Sequence, residues 1–419
     1  MKQAQRVLST YSVDIFGICS ALYELGGLVV IHDASGCNST YGTHNEPRWY
    51  DTPSMVYISG LREVDTIFGN DTRLVEDVSE VARETRPAFV AVGGSPMPNA
   101  IGTDFRAVAR LIEKNTGIPS MGFRTDGIHS YLPGAGEAFL QLAKRFLKDP
   151  AEERRDGGAP GRKKIRVNLL GVTPLDFSVV GNVTEMKRLI RENDMELTGC
   201  WAMGDTLAHL ADSAEADVNA VVSATGIPAA EYMKERYGIP FVTGIPMGES
   251  GTKTWLRALR EAALGEGGGI FLPVDEGASG KGSELYVLNA WKEEKAPDAE
   301  ETDVLLIGEP VFTASLACLL EKELGIFHVS RICPMPDAPR VLMKDVKVVT
   351  IEDALREHCR KAKRIIADPI YARLLPEERE KFISLPHEAY SGRHYRDQIP
   401  RFIGSDFSSW ITGSLGTVH

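Results

Sequence analysis

The chain has 419 residues, of which 43% are apolar and 25% charged, and its formal net charge is −11. This is the balance of a soluble globular protein and excludes a fibrous or disordered one. No lysine and arginine run is interleaved with aromatics along a helical face, and no apolar stretch reaches the length of a membrane span, so neither nucleic acid nor membrane is an expected partner.

The first residues, MKQAQRVLSTYSVDIFGIC, lack a continuous apolar segment followed by a small-residue cleavage site, so a cytoplasmic location is expected. Six cysteines (Cys19, Cys37, Cys200, Cys318, Cys333 and Cys359) are scattered without a C-x-x-C pair, a pattern that fits reduced thiols better than disulfides or a zinc ribbon.

In chain order, the strand-like runs are Leu28–Ile31, Ala88–Val92, Ile165–Leu170, Val218–Val222, Val304–Ile307 and Arg364–Ala367. Each leads into turn or loop residues, and the recurrent pattern of such runs followed by amphipathic segments is that of parallel α/β units. Two polar, charged stretches interrupt the pattern, DPAEERRDGGAPGRKK at 149–164 and KEEKAPDAEETD at 292–303. They divide the chain into a first α/β domain over 1–150 and two more over 161–295 and 301–419. The expected fold is three Rossmann-like, doubly wound domains with mostly parallel sheets. In the third, the sequence predicts a helix over Thr313–Leu324 that ends before Gly325 and another around Ile351–Ala362. Ligands of doubly wound sheets sit beyond the carboxyl ends of the strands, so the residues just after each strand are the functional candidates.

After the first strand comes His32-Asp33-Ala34-Ser35-Gly36-Cys37, then Asn38, Ser39 and Tyr41. A glycine at position 36 would let the backbone approach an inorganic cluster closely, and a thiolate at position 37 is the kind of group that binds iron. Cys37 is therefore the candidate metal ligand, with Gly36 and His32 beside it. Isolated cysteines are ordinarily small buried hydrophobes, and Cys200 and Cys318 are assigned to the core; Cys333 and Cys359 carry no supporting motif.

The loop is followed by GLREVDTIFGNDTRLVEDV at Gly60–Val78. Together they resemble nitrogenase component 1 proteins, in which a histidine-glycine-proline-x-glycine-cysteine loop precedes E-x-D-x-x-F-G-G-x-x-x-L. Glu63, Asp65, Phe68, Gly69 and Leu74 match, whereas Asp33, Ala34 and Asn70 depart from the pattern. Asn99–Asp104, Gly181–Leu189, Glu235–Pro240 and Thr252–Thr254 extend the resemblance over residues 10–405, and it implies the same three-domain fold.

Family members that hold an interface cluster with three cysteines per chain have two of them near Tyr11 and Ser12 and near Ser95 and Pro96, where this chain has none. The resemblance thus implies a beta-type subunit. It would share an iron-sulfur cluster, 4Fe-4S or larger and P-cluster-like, with an alpha-type partner in a heterotetramer. A homodimer using Ser12, Asp33 or Ser95 as oxygen ligands is the rival. Ser95, at one of those cysteine positions, and Tyr131 are further cofactor-binding candidates; Tyr131 lies with His129 in FRTDGIHSYLPGAGEAF, which resembles the loop bordering the cluster. The ligands of the large catalytic cofactor fall at Ser223 and near Tyr390, with His387 close by; a larger iron-sulfur cofactor is therefore expected in the partner. Electrons would come from an ATP-hydrolysing iron protein, and the expected substrates are thioethers, as in methylthio-alkane reductases. Tetrapyrrole reduction and a non-catalytic cofactor-assembly scaffold are the alternatives. ATP is not expected on this chain, because Gly248–Thr254 and Gly277–Ser283 both miss the phosphate-loop spacing.

Overall fold

The computed structural model describes residues 7–8, 12–34, 46–69, 71–150, 164–265 and 298–416. Gly36, Cys37, Asn38, Ser39, Tyr41, most of the first charged stretch, the first half of the second and Gly277–Ser283 lie outside them. Among the described residues, the apolar, β-branched runs form thirteen strands in three sheets. The first sheet holds β1 (Leu28–His32), β2 (Met55–Ile58), β3 (Val90–Gly94) and β4 (Ser120–Gly122). The second holds β5 (Ile165–Leu170), β6 (Met195–Cys200), β7 (Val218–Val221) and β8 (Phe241–Thr243). The third holds β9 (Thr302–Ile307), β10 (Val329–Cys333), β11 (Lys347–Val348), β12 (Ala362–Ala367) and β13 (Phe382–Ser384). Every pairing within them is parallel.

The strand orders are β2-β1-β3-β4, β6-β5-β7-β8 and β11-β10-β9-β12-β13. In each sheet the first strand lies between its successors, so the winding reverses between β1 and β3, between β5 and β7, and between β9 and β12. Those reversals open crevices at the carboxyl ends of the strands. Burial on both faces explains the unbroken apolar runs. Val29 and Ile31 of β1 join the main core, while Leu28 and Val30 pack on the opposite face with Leu74, Val78, Phe105 and Ile112.

Helix ends follow local chemistry. The helix expected from Thr313 begins at Pro310, because the Glu309 side chain accepts the Phe312 N–H at 2.7 Å and proline suits the first helical position. It ends at Gly325, whose φ of +68° lets its N–H reach Glu321 O. The helix expected around Ile351–Ala362 spans Glu352–Lys361. Among the described residues, no helix is long and apolar enough to cross a membrane.

Helices Asp14–Leu22 and Tyr131–Phe146 cross through facing glycines. A Cβ on Gly17 would lie 2.2 Å from Tyr131 O, and one on Gly134 would lie 1.9 Å from Asp14 O. Gly134→Ala should therefore lower the unfolding free energy by about 1–3 kcal/mol or more through overpacking. Gly413 lies exposed inside helix Asp406–Leu415 with nothing within 4 Å of an added Cβ. Gly413→Ala should raise stability by about 0.5–1 kcal/mol. Urea denaturation of both variants measures the contrast, and shifts of the same sign would mean that the crossing adapts to a methyl group.

Candidate functional site

At the first sheet's reversal, the residues that follow β1 and β3 meet. Ser95 donates its hydroxyl to Asp33 Oδ1 at 2.6 Å, and both side chains are buried. His32 turns to a neighbouring crevice, where its Nδ1 lies 2.7 Å from Ser59 Oγ and its ring meets Phe105 edge-on. Burial lowers the His32 pKa, against the opposing pull of Asp71, Asp33 and Asp65. Beside Ser95, an added Cβ on Gly127 would lie 2.5 Å from Pro96 Cδ, so glycine is what admits the loop there.

That loop is held by Asp14, which accepts the N–H groups of Asp126 and Gly127 at 2.8 and 2.9 Å. Burial pushes the Asp14 carboxyl up to about 7. Burial also raises Asp126, but hydrogen bonds from the His129 ring and the Ile128 and His129 N–H groups outweigh it and hold that carboxyl well below the usual range. His129 is raised in turn by its bond to Asp126, 2.7 Å away. Among the described residues this crevice offers carboxylate, hydroxyl and imidazole donors but no thiolate. Iron-sulfur ligation here would rest on Cys37.

The other crevices converge on Asp176, which is buried just after β5. Its carboxylate accepts the hydroxyls of Tyr131, Ser223 (2.7 Å) and Thr173 (3.4 Å). Ser223 also lies 3.0 Å from Thr225 Oγ1. From the third sheet, His387 Nε2 stops 3.6 Å from Asp176 Oδ1, and Glu309 accepts the Ala224 N–H at 2.8 Å. The His387 ring lies over Tyr390 with centroids 4.7 Å apart, and its Nδ1 accepts the Ala389 N–H at 3.3 Å. With Nδ1 accepting, the neutral ring carries its proton on Nε2. Asp368, just after β12, accepts His387 N–H at 2.8 Å and the Ser391 hydroxyl at 2.6 Å. The Asp176 carboxylate therefore meets side chains that follow strands of all three sheets.

Ser223 and His387, with Tyr390 beside them, are thus gathered around Asp176. The set does not suit a large inorganic cofactor: the serine hydroxyl is committed to a carboxylate, and the histidine nitrogen facing it is protonated. Cys333 donates its thiol to Met335 O at 3.4 Å, and burial pushes its pKa up. Tyr131 directs its hydroxyl to Asp176 rather than toward Asp33 or Ser95. Cys19, Cys200 and Cys359 are buried, with burial raising each thiol, whereas Cys318 is only half-buried, in a groove with Lys322 and Phe327. Lys253 sits on a helix surface and pairs with Glu249 at 2.5 Å.

Asp176, Glu309 and Asp368 went unassigned in the sequence. Their signal was position, since each is the first acidic residue after its strand. The matched motifs are mostly structural. Gly69 caps its helix at φ +64°, Asp104 caps Phe105–Thr116 by accepting Arg106 and Ala107 N–H, and Gly181 takes φ +97° before Asn182–Glu192.

Residues 21–356 match the family model described as nitrogenase component 1 type oxidoreductase, and the chain belongs to that family. It is 28% identical to a light-independent protochlorophyllide reductase subunit of Methylobacterium radiotolerans over 61% of this chain and 46% of the relative. Identity to the nitrogenase iron-molybdenum cofactor biosynthesis protein NifE of Methanosarcina barkeri is 24%, over 46% of this chain and 42% of the relative. The chain therefore spans about half the length of these curated relatives. The solved structure "Nitrogenase Cp1 at pH 5" superposes with a TM-score of 0.63 at 15% identity, covering 100% of this chain and 90% of that one, which shows the shared fold.

Two outcomes follow from the junction. Tyr131→Phe removes a buried donor from Asp176 and should cost about 1–3 kcal/mol of stability, measurable by denaturant titration; an unchanged midpoint would show that the bond is dispensable. Burial lowers His387 from 6.5 to about 3. The unfolded ring takes up a proton below 6.5 while the folded one does not, so this group's stability is complete above pH 6.5 and lost as pH falls toward 3. His387→Gln should therefore show a smaller fall in Tm than wild type over that window. Parallel melting curves would refute the assignment.

Proposed function

We propose that this chain is the beta-type subunit of a nitrogenase-like, ATP-dependent reductase complex. In this reading it shares an iron-sulfur cluster through Cys37 with an alpha-type partner and relays electrons from an iron protein. The observation that carries the reading is the closed Asp176 junction. Ser223, and Tyr390 with His387 close by, stand where the resemblance puts the large cofactor's ligands, yet the Ser223 hydroxyl is committed to this chain's own Asp176 and His387 Nε2 faces the same carboxylate from 3.6 Å. Membership of the nitrogenase component 1 type family supports a redox role, and Cys37 follows in sequence the reversal where Asp33 and Ser95 meet.

A bound cluster supplies one-electron storage. The chain's own part is to surround it. Gly36 and His32 flank Cys37 in sequence; Ser95 holds Asp33 in place; the Asp14-anchored loop presents Asp126 and His129 on the same side. Donors and burial of this kind set a cluster's potential. Tyr131 couples this region to the junction behind it.

For the substrate, the likeness to the protochlorophyllide reductase subunit supports tetrapyrrole ring reduction over the thioethers expected first, which the relatives described above do not support. The likeness to NifE favours a second reading, a scaffold that holds and hands over a cofactor. A purified complex that consumes ATP and releases a reduced product through many cycles supports the reductase; stoichiometric cluster transfer without turnover supports the scaffold.

The central test is Cys37→Ala in the co-expressed complex. The variant should lose the paramagnetic signal of the reduced cluster while eluting from size exclusion as wild type, since loss of a thiol costs only about 1–3 kcal/mol in a large core. Cys200→Ala is the control and should keep the signal. A wild-type signal and turnover from Cys37→Ala would remove the basis of the electron-relay assignment.

A further inference from the structure

The first sheet is only partly covered on one of its faces. Helix Asp71–Thr85 packs over β1 and β3, where Leu74 and Val78 share a core with Val30, Val90 and Val92. Toward β2 a pocket of about 150 Å³ separates the same helix from the β1–β2 edge. Leu28, Val30 and His32, alternate residues on one face of β1, line one wall. Leu74, Val78 and Val81 line the other at helical spacing. An apolar cavity of this volume stays dry and admits roughly one benzene ring.

The polar groups of the pocket define what fits it. Arg73 is paired with Asp65 at 2.9 Å and with Asp77 at 3.3 Å, and Asp65 also holds Arg62 at 3.0 Å. These charges answer one another, so none among the lining residues is left for a ligand. The Ser59 hydroxyl accepts the Asp33 N–H at 3.3 Å, leaving its own proton for His32 Nδ1, 2.7 Å away. With Nδ1 accepting, the neutral ring carries its proton on Nε2. Burial keeps the ring neutral by lowering its pKa. His32 is 5% exposed, and Ser59 is its sole hydrogen-bond partner among the described residues. The Nε2–H is thus a donor held at an apolar pocket without an acceptor, which is unfavourable until something supplies one.

We propose that this pocket binds a small neutral molecule, apolar over about one six-membered ring and carrying a hydrogen-bond acceptor that takes the His32 Nε2–H. An ion would find no counter-charge there, and a purely apolar guest would leave the donor unmet. The inference depends on neither the cluster nor the partner subunit. It gives the residue that ends β1 a ligand of its own, on the side of the strand away from the main core.

The test uses the full-length chain and two probes of one shape, titrated by saturation-transfer NMR: acetophenone, which has the acceptor, and cumene, which lacks it. Wild type should bind both saturably. His32→Phe keeps an aromatic ring but removes the donor, and should weaken acetophenone about two- to tenfold while leaving cumene unchanged. Val81→Trp should fill the pocket and abolish saturable binding of both. No saturable binding to wild type, or binding that survives Val81→Trp, would overturn the site. A ratio of the two affinities that His32→Phe leaves unchanged would overturn the acceptor assignment.

If His32→Phe does not fold, wild type carrying nitrogen-15 histidine decides it. The His32 Nε2 resonance should move downfield with acetophenone and not with cumene, and equal responses overturn the assignment. Repeating the titration on the co-expressed complex separates a ligand site from a docking surface. Retained binding supports the small-molecule site; binding lost on assembly would mean that a partner's side chain fills the pocket, and would overturn it.

Discussion

The Asp176 carboxylate is the constraint on which the arrangement of the three sheets depends. A buried carboxylate must have its lone pairs satisfied, and here the donors arrive from separate units: Tyr131 from the first, Ser223 and Thr173 from the second, with His387 facing it from the third. Apolar burial alone brings sheets together without a unique register. A hydrogen-bonded carboxylate at their meeting point demands one.

The same arrangement recurs on a smaller scale. Across the first reversal Ser95 donates to Asp33, and across the second Ser223 donates to Asp176. Parallel strands leave carbonyl ends and helix starts on the same side of each sheet, so short polar side chains gather there. In the third sheet Glu309 and Asp368 occupy the equivalent positions and cap the segments that follow. Chemistry and fold stability thus draw on one set of strand-end residues. A change made for function at these positions will also be felt in packing.

Membership of the nitrogenase component 1 type family is carried by motifs whose work is mainly geometric. Gly69, Gly181 and Asp104 set helix ends, and Asp65 holds Arg62 and Arg73 at 3.0 and 2.9 Å. Such residues preserve where strand ends point. They say little about what is reduced there, which is why the likeness to both reductase and cofactor-assembly proteins is compatible with one scaffold.

The sequence by itself determined the parallel α/β pattern, because strands buried on both faces must read as continuous apolar runs; Ile165–Leu170 is a strand with the expected bounds. It also determined the helix end at Gly325, where a left-handed residue closes the last turn. It pointed to Ser95, Ser223 and His387 as strand-end or motif positions, but not to their partners. Those partners lie 62, 47 and 211 residues away along the chain, at Asp33, Asp176 and Asp176 again. Short-range patterning carries no information about contacts of that separation. Only the packing of three sheets decided that Tyr131 meets Asp176, and that Glu309, ordinary in sequence, meets Ala224.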